Sequence, residues 1–334
     1  MPDPRKLLVI GSNSFSGASF VSYVLKNGWQ VIGVSRSPEP HECYLPYRWL
    51  SAEEQAGFSF HQLDIKQDAN RIAEIASSER VPYVVNFAAL GMVAESWLYP
   101  LDYYNTNLVG NVALHEALRK VDCLEKYVHV STPEVYGNTE GVIDEAAPLN
   151  PSTPYAASRA ACDIHLRTFL AEYDFPVVWT RAANVFGPGQ QPFRIIPRVA
   201  LCHRLGQKLQ LHGGGASVRS FIHIDDVASA TLAIAEDASP GECYHISTDR
   251  FVSIKQLAEI ISDRMNLPID NIAEIAPERP GKDHAYSLDA SALKNTFGWS
   301  DDISLEDGID QTIAWVDRWL DSIKGLPLHY QHKA

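Results

Sequence analysis

The chain has 334 residues, with 41 Asp and Glu against 28 Lys and Arg, a formal net charge of −13. That balance argues against nucleic acid or an anionic membrane as a main partner, and no apolar run approaches the ~18 residues of a membrane-spanning helix. A chain of this length builds its core without disulfides or structural metal. Its five cysteines (Cys43, Cys123, Cys162, Cys202, Cys243) are scattered and include no C-x-x-C pair, which predicts buried reduced thiols in a cytoplasmic protein.

The first half alternates short apolar runs with amphipathic stretches. Lys6–Ile10 reads as a strand, too short for a signal-peptide core, and Gly17–Asn27 as a helix. Gln30–Val34 and Phe58–Leu63 follow as strands, Ala69–Ser78 as a helix and Tyr83–Phe87 as a strand. Asn107–Lys120 reads as a helix, Lys126–Val130 as a strand, Tyr155–Tyr173 as a long helix opened by Pro154, and Val177–Thr180 as a strand. Apolar runs without polar alternation fit strands covered on both faces. Strands alternating with helices imply right-handed crossovers and a parallel sheet. Residues 186–222 are rich in Gly, Pro and Arg. Beyond them, Asp225–Ala235, Ser253–Met265 and Leu305–Ser322 read as helices, Cys243–Ile246 as a strand and 276–290 as an irregular segment. No flexible linker is visible, so a second unit is expected to pack tightly on the first.

The segment from Gly11 to Gly17 follows the first strand and opens the first helix. Gly11 permits a tight turn and Gly17 close helix–sheet packing. The helix N-terminus at Ser14, Phe15 and Ser16 then offers N–H groups to a pyrophosphate. Ser14 stands where a third glycine is usual. An NAD site normally has an acidic residue at the end of the second strand, and an NADP site often has Arg. Here Ser35 and Arg36 stand there, which leans to NADP and leaves NAD open.

Val130-Ser131-Thr132-Pro133-Glu134-Val135-Tyr136-Gly137, followed by Pro154-Tyr155-Ala156-Ala157-Ser158-Arg159, resembles the extended short-chain dehydrogenase/reductase family. Arg181–Gln190 and Ser217–Val227 fit the same family. Arg279-Pro280-Gly281-Lys282-Asp283, with Tyr286–Asp289 and Phe297-Gly298-Trp299, looks most like its nucleotide-sugar 4,6-dehydratase branch. The resemblance spans about residues 6–320 and implies an α/β fold. A Rossmann-type doubly wound parallel sheet (1–182 with about 220–250) would carry the cofactor. A smaller, mostly C-terminal α/β domain (183–219 with 251–330) would carry a nucleotide-diphosphate sugar. Tightly held NAD or NADP and a homodimer are further implications.

Tyr155 and Arg159 are four apart and share a helix face, so an adjacent cation favours the Tyr155 phenolate. The family normally has Lys at the second position, where it also touches the nicotinamide ribose. Arg159 keeps the charge but is planar, bulkier and does not titrate. By resemblance, Tyr155 takes the proton from the sugar O4, Thr132 hydrogen-bonds that oxygen, and Glu134 removes the C5 proton. Pro133 stands where many members have an Asp that protonates the departing hydroxyl. The resemblance also places Asp64 and Ile65 at the adenine, and Phe87, Ala88 and Ala89 along the cofactor. Asn107 would steady the backbone beside it. Glu95 and Ser96 would touch the hexose, and Leu209 and Leu211 would flank the nucleobase. Asn184, Arg194, Arg219 and Arg279 match nucleotide-sugar contacts, Arg supplying forked donors to a diphosphate. The twelve His form no H-E-x-x-H or paired-spacing cluster, so no catalytic metal is expected.

The reading is an NDP-sugar 4,6-dehydratase. The alternatives are a 4-epimerase or 4-keto reductase using the same Thr–Tyr pair, and a non-catalytic NADP-sensing protein that kept the fold. Arg159 is the argument for the last.

Overall fold

The computed structural model describes residues 5–277 and 287–332; Arg279, its Arg-Pro-Gly motif and Tyr286 lie outside the described residues. Seven parallel strands form the main sheet, in the order Cys243–Ile246, Val177–Ala182, Lys126–Val130, Tyr83–Asn86, Lys6–Ile10, Gln30–Ser35, Phe58–Gln62. The order reverses at Lys6–Ile10, whose Ile10 lies level with Val34 on one side and Asn86 on the other. Ligands of open α/β sheets bind at the carboxyl edge of such a reversal, so the topology alone points to the loops after residues 10, 35 and 86.

Period-two alternation explains why the strands are apolar throughout. In the first strand Leu7 and Val9 face Val21 and Val24 of the helix Phe15–Lys26 and Ala228 of the helix Ile224–Asp237. Leu8 and Ile10 face the other way, toward Ile72, Leu114 and Leu166 on three further helices. The second unit has its own core around Phe186, Val199, Leu257, Ile261 and Ile309. Around it lie a three-stranded sheet (Asn184–Phe186, Val218–His223, Phe251–Ser253) and the pair Leu209–His212 with Ala273–Ala276. The helix Ser291–Phe297 packs back on the main sheet, with Leu293 in its core and Phe297 edge-on to Tyr244 at 5.1 Å.

Among the elements that differ from expectation, two bear on the site. The Gly/Pro/Arg-rich stretch contains the helix Ile195–Leu205, closed by Gly206 in the left-handed region at φ 62°. The helix expected from Asn107 begins at Pro100 and passes through a π segment, Asn105–Gly110, before Asn111–Leu118. Asn111 Nδ2 donates to the carbonyls of both Thr106 and Asn107 there, satisfying groups that the wider turn leaves short of partners. Among the described residues no helix is long and apolar enough to cross a membrane.

Candidate active site

The glycine turn is shaped by contact. Gly11 has φ +83°, and a Cβ there would lie 2.8 Å from Ala88 N and 2.9 Å from the Phe87 carbonyl carbon. A Cβ on Gly17 would lie 2.2 Å from Gly11 O. Ser14 closes the turn that a third glycine would otherwise loosen: its Oγ donates to Gly11 O at 2.7 Å and accepts from Gly17 N at 3.1 Å, capping the first helix. Ser16 follows in its first turn with Phe15 buried beneath. Ser35 Oγ accepts from Asn13 N at 2.9 Å, tying the end of the second strand to the turn. Arg36 follows, partly buried. Phe87 N donates to Ile10 O and Ala88 N to Asn86 Oδ1, leaving the exposed Ala89 beyond them. Asp64 Oδ1 accepts from Lys66 N, and Ile65 is buried. Gly11 and Gly17 let the turn pack directly on the Phe87–Ala88 backbone and on itself, and the capped helix start that this tight turn leads into, at one sheet edge, fits the pyrophosphate of a dinucleotide.

Tyr155 is the second residue of the helix Pro154–Tyr173, which Thr153 caps by accepting from Ala156 N at 3.1 Å. The Tyr155 side chain is buried, and burial pushes its phenol above the ordinary value. The Arg159 charge pulls the other way, Glu134 adds to the rise, and a hydrogen bond from Thr132 and the charge of Arg194 lower it. Thr132, Glu134 and Tyr155 are thus gathered at one place. Thr132 also caps the short turn Pro133–Tyr136 by accepting from Glu134 N at 3.3 Å. The expected activation by Arg159 is therefore present but outweighed by desolvation.

The reason is where the guanidinium goes. Arg159 is 2% exposed; its Nη2 donates to the Val130 carbonyl and to His129 Nε2 at 3.0 Å. Arginine only donates, so Nε2 of His129 accepts, consistent with burial holding that imidazole far below its ordinary value. Asp163 Oδ1, 3.6 Å from the same nitrogen, consequently makes no ion pair with it. Asp163 instead accepts from Arg181 Nη2 and Ser131 Oγ, each at 2.8 Å. Arg181 donates to Tyr136 OH, which meets His245 Nε2 at 2.7 Å. This buried polar chain under Thr132 was missed from sequence, although Asp163 lies on the Tyr155–Arg159 face eight residues on. His115, His129 and Cys162 bring potential ligand atoms within 4.8 Å of one another. Their imidazoles, however, are engaged by the Tyr127 hydroxyl and by Arg159, whose charge opposes a cation there.

Asn107, turned inward by the π segment, is fully buried. It accepts from Leu90 N at 2.8 Å and donates to Leu90 O and to Ser158 Oγ, both at 3.0 Å. It thus clamps the loop after the fourth strand to the Tyr155 helix. Glu95 is partly exposed near Tyr103, whose phenol its charge helps to raise. Ser96 is buried with its hydroxyl donating to Val93 O, which turns it inward instead of toward a hexose. Asn184 donates to Ser220 O, Arg219 to Val218 O, and Arg194 lies before the helix Ile195–Leu205 with its guanidinium 5.9 Å from the Phe193 ring. Leu209 and Leu211, expected beside a nucleobase, are buried in the second-unit core at 1% and 5% exposure. Alternation along their strand leaves Gln210 and His212 on the other face. Tyr103, whose ring meets Tyr155 edge-on at 6.2 Å, carried no sequence signal.

Comparison with known proteins agrees with this geometry. The chain is 31% identical over 264 residues to human dTDP-D-glucose 4,6-dehydratase, covering 77% of this chain and 75% of that one. It is 30% identical over 332 residues to the Arabidopsis thaliana trifunctional UDP-glucose 4,6-dehydratase/UDP-4-keto-6-deoxy-D-glucose 3,5-epimerase/UDP-4-keto-L-rhamnose-reductase. That match covers 97% of this chain, which spans about half the plant enzyme's length, 49%. Among solved structures, a dTDP-glucose 4,6-dehydratase from Streptomyces venezuelae with NAD bound superposes with a TM-score of 0.87 at 29% identity, covering 97% of this chain and 100% of that one. A UDP-glucose 4-epimerase from Thermotoga maritima with UDP-glucose gives 0.84 at 28%, covering 94% and 99%. Residues 7–247 match one family throughout. With the glycine turn, the Thr132–Tyr155 contact and the sheet order described above, this places the chain in the NAD dependent epimerase/dehydratase family.

Proposed function

We propose that the chain is a nucleotide-sugar 4,6-dehydratase that turns a nucleotide-hexose into its 4-keto-6-deoxy form. Residues 1–182 with about 220–250 hold the coenzyme, and 183–219 with 251–330 hold the nucleotide sugar. The observation that carries the reading is the hydrogen bond of Thr132 to Tyr155, with the Glu134 charge within reach of the phenol, in a chain whose glycine turn and capped helix start lie at the carboxyl edge of the sheet.

When bound, the dinucleotide supplies reversible hydride acceptance, so oxidation at C4 is undone at C6 with no net redox change. Tyr155 takes the O4 proton, with Thr132 donating to the phenol oxygen and Arg159 favouring its charged form. The C4 ketone makes the C5 proton acidic, and the Glu134 carboxylate removes it. Pro133 has no acidic proton, so Glu134 returns its own to the C6 hydroxyl, which leaves as water; Glu134 then passes a solvent proton back to C5 as C6 is reduced. Asn107 holds the loop after the fourth strand in place, and Arg194 and Arg219 fork toward the diphosphate.

Ser35 and Arg36 present no carboxylate to a 2′-phosphate and support NADP over NAD; mass spectrometry of the molecule released on denaturation identifies it. Exposed Leu98, Leu101, Val109 and Ile164 supply apolar surface for a homodimer, which light scattering tests. The five free thiols suit a reducing cytoplasm.

Purified protein incubated with dTDP-, UDP-, GDP- and CDP-hexoses is expected to form a 4-keto-6-deoxy product from one of them, and no such product from any sinks the reading. Pro133 favours the second reading, a 4-epimerase. Solvent deuterium separates the two, because 4-epimerisation leaves the C5 hydrogen in place and dehydration exchanges it.

A further inference from the structure

Six aromatic rings lie in an arc that begins at Tyr155. Tyr103 meets Tyr155 edge-on at 6.2 Å, and His332 lies parallel to Tyr103 at 6.1 Å and stacks on Tyr99 at 4.2 Å. Tyr330 lies 6.3 Å from His332 and meets Phe193 edge-on at 5.5 Å. The arc closes on itself electrostatically. Phe193 precedes Arg194, whose charge lowers the Tyr155 phenol, and Tyr330 adds to the raising of Tyr103.

Two of these rings come from the end of the chain. After the helix Leu305–Ile323, Leu328 packs against the second-unit core. The chain then passes Phe193 and finishes on the first unit, where His332 Nε2 lies 2.8 Å from Asp102 Oδ2. Only 11% of the His332 side chain is exposed. The tail therefore crosses from one unit to the other, and its His332 ring faces Tyr103, the ring that lies next to Tyr155. Aromatic faces cover the C–H surface of a pyranose and exclude water from it.

We infer that residues 326–332 form a wall of the substrate cleft, in which Tyr330 and His332 position the hexose of a nucleotide sugar against Tyr155 and the His332–Asp102 contact holds the wall in place. This rests on the nucleotide-hexose reading above. The two residues are positioning groups: neither takes part in proton transfer, and both act on where the ring sits.

The test uses the full chain, a chain ending at Leu328, and the variants Tyr330→Ala, His332→Ala and Tyr330→Phe. Calorimetric titration is done with the nucleotide hexoses and with the matching nucleoside diphosphates, which lack the sugar. Loss of the wall is expected to weaken nucleotide-hexose binding about tenfold. Nucleoside diphosphate affinity stays within about twofold, and Tyr330→Phe, which keeps the ring, binds as the parent does. Unchanged nucleotide-hexose affinity in the shortened chain overturns this inference alone. An equal loss for both ligands also overturns it, because a general structural role would give that. A parent protein that binds nucleoside diphosphates but no nucleotide hexose overturns the substrate reading and this inference with it.

Discussion

Asp163→Asn is the substitution whose consequence the structure specifies best. Asp163 is fully buried and faces Arg181 at 2.8 Å, and both Arg181 and Arg159 are 2% exposed. Asp163 is the carboxylate that faces the buried Arg181 guanidinium, and Asn would leave that charge without its counter-ion. Neither arginine can shed its proton to relieve this. Removing one partner of a buried pair costs about 3–5 kcal/mol. Asn keeps an oxygen to accept from Arg181 and Ser131, which puts the expected loss near the lower end, about 3 kcal/mol. That is a large share of a total stability of about 5–15 kcal/mol. The assay is urea unfolding followed by tryptophan fluorescence at fixed coenzyme concentration, since bound ligand adds its own stabilisation. Pairing the change with Arg181→Met removes the stranded charge and is expected to recover at least about 1.5 kcal/mol over the additive sum. A single variant within about 1 kcal/mol of the parent, or a double variant no better than additive, refutes the argument.

Three further outcomes follow from named groups. Arg159→Met removes a charge that lowers the buried Tyr155 phenol, so the phenol rises further and the acidic limb of the kcat/KM profile, where the base ionises, moves up by about one pH unit or more; an unmoved limb contradicts the assignment. Glu134→Gln should cut C5 deuterium exchange and product formation about 10³-fold with nucleotide-sugar affinity retained, and undiminished exchange would assign the C5 proton to another group. Asp226, 4% exposed, accepts from Asp302 N and Ile303 N, and burial raises its carboxyl to about 6 from 3.8. Its folded form thus favours the proton, and the contribution is full below 3.8 and lost as pH rises through about 6. Asp226→Asn should therefore gain on the parent between about pH 4 and about pH 7, by no more than about 3 kcal/mol; urea midpoints at the two pH values that move in parallel would refute this.

Much of the fold was legible because its strands are covered on both faces. Lys6–Ile10, Lys126–Val130 and Cys243–Ile246 match the expected spans residue for residue. Helices with clear apolar spacing, such as Ala69–Ser78, did likewise. The helix Ile195–Leu205 was hidden: its buried stripe of Ile196, Val199, Ala200 and Cys202 follows directly on Gly187, Pro188, Gly189 and Pro192, which read as loop. In the site, the spacing of Tyr155 and Arg159 and the position of Thr132 could be read from the chain. The direction of the Arg159 guanidinium could not, because its acceptor His129 belongs to another strand. The placement of Tyr330 and His332 was equally invisible, since it depends on the chain end returning to a unit far away in sequence.

The π segment Asn105–Gly110 is, in effect, one residue too many for its helix. Each residue of an α-helix advances the side chains by about 100°. Excising Thr106 would let regular hydrogen bonding propagate unbroken into Asn111–Leu118. The backbone would be the better helix, and Asn107 would swing away from Leu90 and Ser158. A shortened variant that melts later yet turns over more slowly would mark the surplus residue as stability given up for reach.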